Sequence, residues 1–103
     1  MTEKTLNEWN DVLTQVNNIL STCKPYLSDE TITAVRHYLD HDEYEMAVEG
    51  LFIDIMQLTV IPDSLSSKMC IDLAKSVDLD KEVVFLNDFW EIFLAFCHDK
   101  LKP

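Results

Sequence analysis

Residues 5–23 read TLNEWNDVLTQVNNILSTC, a stretch in which apolar side chains recur every three or four positions. The repeat consists of Leu6, Trp9, Leu13, Val16 and Leu20. This is the period of an α-helix with one apolar face, so the stretch predicts an amphipathic helix that packs on a core. We expect it to end at Lys24, because Pro25 follows and the residue before a proline is disfavoured in the helical conformation.

Four more helices are predicted when the same period and the usual capping residues are followed toward the C-terminus. The second is expected to start at Ser28 and to stop near Asp40–His41, and the third to be capped by Asp42 and to cover residues 43–59. The fourth is expected to start at the turn Pro62–Asp63–Ser64. The last is expected to be capped by Asp80 and to cover residues 81–101, with a break near Asn87–Asp88. The sequence therefore predicts an all-α, compact, bundle-like domain of about five helices over residues 1–103.

The composition excludes several classes of protein. A single glycine and three prolines are too few for the turns of an all-β fold or for a glycine-rich phosphate loop. Nineteen acidic residues face eight basic ones, and the net charge of −11 repels nucleic acid and anionic lipid. A basic protein is the partner that such a charge favours.

The cysteines and the N-terminal residues indicate the cellular compartment in which the protein is expected. Cys23, Cys70 and Cys97 are odd in number and lie in apolar helical settings, as free thiols of a reducing cytosol do. The polar start MTEKTLNEWND does not resemble a signal peptide, and no run approaches the roughly 20 apolar residues of a membrane span. We therefore expect a cytoplasmic protein without a membrane segment.

Catalytic and metal-binding patterns are weak. His37 and His41 are four residues apart, but a metalloprotease motif needs a glutamate where Tyr38 stands. The cysteines lack a CxxC spacing, and the acids of residues 40–45 lack the central glycine of a calcium loop. We expect a binding protein, not an enzyme, with neither a metal nor a cofactor.

The acidic residues are concentrated in the middle of the chain. Residues 25–63 hold nine acids and one base, Arg36, and residues 37–67 contain no lysine or arginine. Acids in first helical turns stabilise the helix dipole, which accounts for part of this pattern. A soluble helical surface ordinarily mixes both signs, however, so the missing bases favour a face that meets a cationic partner.

The predicted third helix carries part of this charge on one face, where Asp42, Glu45 and Glu49 are followed by apolar residues. These apolar residues are Met46, Phe52, Ile53 and Met56. Two interpretations stay open: the second half of the helix is buried all round, or the face is a partner site with apolar anchors and an acidic rim.

Residues 28–51, SDETITAVRHYLDHDEYEMAVEGL, resemble the Maf-type immunity proteins of bacterial polymorphic toxin systems, a family that includes immunity proteins of contact-dependent growth inhibition. The shared features are a capped helix, an acidic turn with a Glu–Tyr pair, and the sequence Glu-Gly-Leu. Residues 79–93, with aromatic residues around Trp90, are also similar. The two stretches cover 39 of the 103 residues, and the first helix lies outside them.

This resemblance implies an antitoxin that binds the toxin domain of a delivered effector in a heterodimer, expected to be 1:1. Many such toxins are nucleases, so we expect an acidic face that occludes a basic cleft, with a ribonuclease favoured over a deoxyribonuclease. The expected contacts are Asp40, Asp42, Glu43, Glu45 and Glu49, with Tyr44 as an aromatic anchor and Asp29 and Glu30 in reserve. An acidic adaptor for a basic cellular protein, a DNA mimic, and a homodimer in the free state stay open as alternatives.

Overall fold

The computed structural model describes residues 4–103, which form five α-helices joined by turns and by two longer irregular segments, 56–66 and 77–88. The helices are α1 (Leu6–Cys23), α2 (Asp29–Asp40), α3 (Tyr44–Ile55), α4 (Ser67–Ser76) and α5 (Phe89–Lys100), with a 3₁₀ turn at Lys24–Tyr26. The predicted all-α class is confirmed, since extended pairing in this part of the chain is limited to one bridge between Ser66 and Lys102. The first three residues of the polar chain start lie outside the described residues.

The first two helices begin where the sequence predicts. Thr5 caps α1 in a reciprocal box, accepting a hydrogen bond from the Glu8 backbone N–H while the Glu8 side chain accepts one from the Thr5 N–H. Ser28 caps α2 by accepting from the Thr31 N–H. After α1 the chain tightens into the 3₁₀ turn that contains Pro25, which agrees with the predicted end of the helix.

The other three helices are shorter than predicted. The α3 helix runs from Tyr44 to Ile55, and Asp42 does not cap it, because Asp42 lies in the turn with a left-handed φ of 57°. Ser66, rather than the turn at 62–64, caps α4. The cap predicted at Asp80 is wrong, since residues 77–88 are not helical and α5 starts at Phe89.

The α3 helix lies at the centre of the fold, in contact with α1, α2 and α4. Its residues Val48, Leu51, Phe52 and Ile55 are buried, and the Phe52 ring packs on Phe93 of α5 with 4.8 Å between ring centroids. Ile53 and Met56 are half-buried against the same core. The structure thus favours the interpretation of α3 as a central helix. None of the helices in residues 4–103 has both the length and the apolar run that a bilayer crossing needs.

The three cysteines lie in this core as free thiols, Cys23 on α1, Cys70 on α4 and Cys97 on α5. Burial raises the pKa of Cys23 and of Cys97 to about 11. Burial also raises the pKa of Cys70, and the neighbouring Cys97 and Cys23 thiols raise it further. All three thiols are therefore protonated at neutral pH.

We predict that the folded protein reacts with a disulfide reagent such as DTNB at pH 8 at least about a hundredfold more slowly than the urea-unfolded chain, because the thiolate is the reactive form. Since folding raises the thiol pKa, the stability that the thiols contribute is present below the unfolded pKa of about 8.5 and is lost as the pH rises toward 11. Absorbance at 412 nm measures the rate of the DTNB reaction. Rapid labelling of folded protein would contradict this packing.

Candidate acidic interface

A groove of about 630 Å³ lies between the start of α3 and the segment that follows α4. One wall consists of Asp42, Glu43, Glu45 and Met46. The other wall consists of Val77, Asp78, Lys81, Glu82, Val83 and Val84. We call this site the acidic groove.

The turn between α2 and α3 positions the first wall. The Glu43 N–H donates to the Tyr38 carbonyl oxygen at 2.8 Å, which closes the turn behind the last residue of α2. With Asp42 in the left-handed conformation, the chain reverses within two residues, and Asp42, Glu43 and Glu45 come to line the same concavity. Three of the predicted contact residues therefore lie together.

A second left-handed residue positions the opposite wall. Asp78, with φ of 62°, follows the end of α4, and its carbonyl oxygen accepts hydrogen bonds from the Lys81 and Glu82 N–H groups, each at 3.0 Å. Leu79 is buried and anchors this turn in the core. Asp78 and Glu82 thereby line the groove opposite Glu45.

The buried side chain of Glu49 binds the backbone at the end of the second wall. Its carboxylate accepts three backbone hydrogen bonds, from Val84 at 2.7 Å on Oε1 and from Phe85 at 3.0 Å and Leu86 at 2.9 Å on Oε2. The side chain is 0% exposed, so the prediction that Glu49 is a surface contact for a partner is wrong. Within residues 4–103 no cation pairs with it, and the three amides alone compensate its charge.

The groove keeps a large excess of negative charge. Five carboxylates line it, those of Asp42, Glu43, Glu45, Asp78 and Glu82, against the single ammonium group of Lys81. Lys81 Nζ lies 3.7 Å from Asp78 Oδ1, whereas the other four carboxylates form no ion pair among the described residues. The pair's lysine is exposed to solvent, so the pair contributes little, and the like charges repel one another. A cationic ligand would therefore be stabilised here.

Part of the Tyr44 side chain packs against other residues of the same protein. Its ring stacks on Trp9 of α1 with 4.6 Å between centroids and 21° between planes, and its hydroxyl donates to Asp42 Oδ1 at 3.4 Å. Burial raises the pKa of the Tyr44 hydroxyl, and the Asp42 charge and hydrogen bond raise it further. One face of the predicted aromatic anchor is thus occupied by Trp9.

The remaining predicted contacts lie away from the groove lining. Asp40 is exposed at the last position of α2. Asp29 and Glu30 occupy the first turn of α2, where with His37 and Tyr38 they line a separate shallow depression of about 520 Å³. Since a helix rises about 1.5 Å per residue, some 16 Å along the helix axis separates Asp29 from Asp40.

Other acids of the middle stretch have local partners. Asp54 Oδ2 accepts from the Thr31 hydroxyl at 2.7 Å, and Asp63 Oδ1 lies 4.0 Å from Lys102 Nζ. The base-free stretch is therefore not one continuous face. Within it, the carboxylates that converge on the groove are those of Asp42, Glu43 and Glu45.

The rings of His37 and His41 are neighbours, tilted by 40° to one another. Their ring centroids lie 4.3 Å apart, and His41 Nδ1 is 2.8 Å from the His37 carbonyl oxygen. In the part of the chain that the structure describes, no group of three or more His, Cys, Asp or Glu residues is arranged to hold a metal ion.

Sequence reasoning missed Asp78, Lys81 and Glu82 as groove residues. They lie more than thirty positions beyond Asp42, and the sequence predicts Lys81 and Glu82 in the first turn of the last helix. No local period marks them, because the tertiary packing of the segment after α4 places them across the groove from Glu45.

Comparisons of the chain with protein-family models, with curated proteins and with solved structures find no match. The function proposed below therefore depends on the groove and on the resemblance of residues 28–51 and 79–93.

We predict that Glu49→Gln lowers the free energy of unfolding by about 3 kcal/mol, because it removes the buried charge and leaves amide donors without an acceptor. Urea unfolding followed by circular dichroism measures the loss, and hydrogen exchange should accelerate at the amides of residues 84–86. Glu45→Gln is the matched control, since Glu45 makes no hydrogen bond through its side chain in the described structure and should change stability by less than about 0.5 kcal/mol. Equal stability of the two variants would contradict the role of Glu49.

We predict that Gly50→Ala stabilises the protein by about 0.5–1 kcal/mol, because glycine disfavours the interior of a helix. A Cβ atom built at Gly50 meets Phe85 Cε2 at 3.9 Å, an ordinary van der Waals distance, so no clash offsets the gain. The midpoint of urea unfolding measures it. A destabilised variant would show that Phe85 packs on Gly50 more tightly than this distance implies.

Proposed function

We propose that this chain is an immunity protein that binds the nuclease domain of a polymorphic toxin and blocks it, with the acidic groove as the contact surface. The observation that carries the proposal is the convergence of five carboxylates against one lysine in a single concavity. The protein acts in this proposal by binding alone, in a 1:1 heterodimer and without catalysis.

The chemistry of a nuclease suits such a groove. An enzyme that cleaves nucleic acid presents lysine and arginine side chains to phosphate groups. Carboxylates held on two facing walls offer those cations an alternative set of anions. Opposite charges also raise the rate of encounter by about one to three orders of magnitude at low salt.

The resemblance to Maf-type immunity proteins supports the proposal at the same place in the fold. Its two stretches, 28–51 and 79–93, meet at the acidic groove, which takes most of its lining from them. Glu49 in the first stretch binds the amides of residues 84–86 in the second. A ribonuclease is the favoured partner, and a deoxyribonuclease comes second.

The direct test uses the toxin domain that this proposal expects to be encoded beside the gene of this chain. Co-expression should restore the growth of cells that produce the domain, and an equimolar amount of this protein should abolish cleavage of RNA by the purified domain. Cleavage that continues at a large excess of this protein would overturn the proposal.

We predict that Glu45→Lys combined with Glu82→Lys, one change on each wall, slows association with the toxin domain about tenfold or more in roughly 20 mM salt. The difference should largely disappear in about 0.5 M salt, because screening removes steering. Stopped-flow fluorescence or surface plasmon resonance measures the rates.

The matched control is Asp11→Lys combined with Asp99→Lys, at exposed positions on α1 and α5. This variant changes the net charge by the same amount but leaves the groove intact. If both double variants slow association equally, net charge accounts for the effect and the groove does not.

A further inference from the structure

Two apolar side chains stand exposed at the end of the acidic groove. Val84 is 62% exposed and lines the groove itself, and Phe85 follows it at 46% exposed. Their neighbours Val83 and Leu86 are half-buried and pack against the core. The segment therefore presents one adjacent pair of apolar side chains outward between two inward ones.

The backbone of this pair is fixed. The Val84, Phe85 and Leu86 N–H groups all donate to the buried carboxylate of Glu49. The Phe85 ring also lies 6.0 Å from the Tyr38 ring, centroid to centroid, and beside Gly50 of α3. An exposed apolar pair on a restrained backbone loses little conformational entropy when a partner covers it.

We infer that Val84 and Phe85 are the apolar anchor of the interface, which inserts into a hydrophobic pocket bordered by lysine and arginine side chains on the partner. This inference rests on the proposed function and names the energetic centre of that same interface. Specific interfaces combine a few central apolar or aromatic anchors with a polar rim, and the anchors determine the lifetime of the complex.

The charge around the anchor selects the occupant. Val84 borders the five carboxylates of the groove, so a partner that covers the pair also meets this negative surface. A second copy of the chain in symmetric contact would bring two such grooves together, and nucleic acid or an anionic membrane would add further negative charge. A basic protein surface is the occupant that complements both features.

The test measures the kinetics of the complex with the catalytically inactivated toxin domain. Val84→Ser combined with Phe85→Ser should accelerate dissociation at least about tenfold and change association by less than about threefold. The control is Ile92→Ser combined with Leu94→Ser, exposed apolar residues of α5 at 45% and 37%, which should leave both rates unchanged. Because Phe85 is only partly exposed, the near-isosteric Val84→Thr is a second variant that keeps the fold and should still accelerate dissociation.

Each outcome is decisive when the anchor variants are run beside the groove variant Glu45→Lys with Glu82→Lys. Slower association in the groove variant with unchanged dissociation in the anchor variants would overturn the anchor and leave the proposed function standing. Faster dissociation in the anchor variants alone would support the anchor and count against electrostatic steering. A wild-type protein that does not bind the toxin domain would overturn the proposed function and the anchor together.

Discussion

The contact between the Glu49 carboxylate and three successive amides of residues 84–86 is the interaction on which the groove depends. It joins the central helix α3 to a segment without secondary structure of its own, 35 to 37 positions further along the chain. A buried carboxylate without hydrogen bonds would be strongly unfavourable, and three amides without an acceptor would be so as well. Each group therefore requires the other, and the three hydrogen bonds hold the irregular segment against α3.

The acidic groove forms because residues 84–86 are held against α3 in this way. Asp42, Glu43 and Glu45 belong to one part of the chain, and Asp78 and Glu82 belong to another, which the bonds to Glu49 and the buried side chains of Val77 and Leu79 hold in place. The protein thus uses one acidic residue internally, with its charge satisfied by the backbone, to assemble others whose charges have no such compensation. A surface that is unfavourable in isolation and rigidly held is what a protein needs when a cationic partner supplies the missing charge.

Much of the fold could be predicted from the sequence, because α1 and α2 carry their own caps and their own apolar period. The candidate site could be predicted only in part. A helical period correctly places Glu45 and Glu49 on the same side of α3, four residues apart, but it cannot tell that the segment after α4 covers one of them and leaves the other at the surface. The same limit applies to residues 81–88, whose composition permits a helix although the amides of residues 84–86 bind the Glu49 carboxylate instead. The helical period of a local sequence indicates the direction in which a side chain points. Whether that side chain is buried depends on a segment distant in the sequence.

The division of the acidic stretch also decides which of its carboxylates lie close enough together to reinforce one another. At physiological ionic strength charges are screened over about 8 Å, so carboxylates that line one concavity reinforce one another while those further away do not. Asp29 and Glu30 lie about two Debye lengths from the end of α2, by the rise of the helix, and act largely on their own. Asp54 and Asp63 already have hydrogen-bond or cationic partners. The unpaired carboxylates of this stretch therefore converge at the groove, beside the exposed pair Val84 and Phe85. In the proposed function, the surface that attracts the partner and the surface that retains it coincide there.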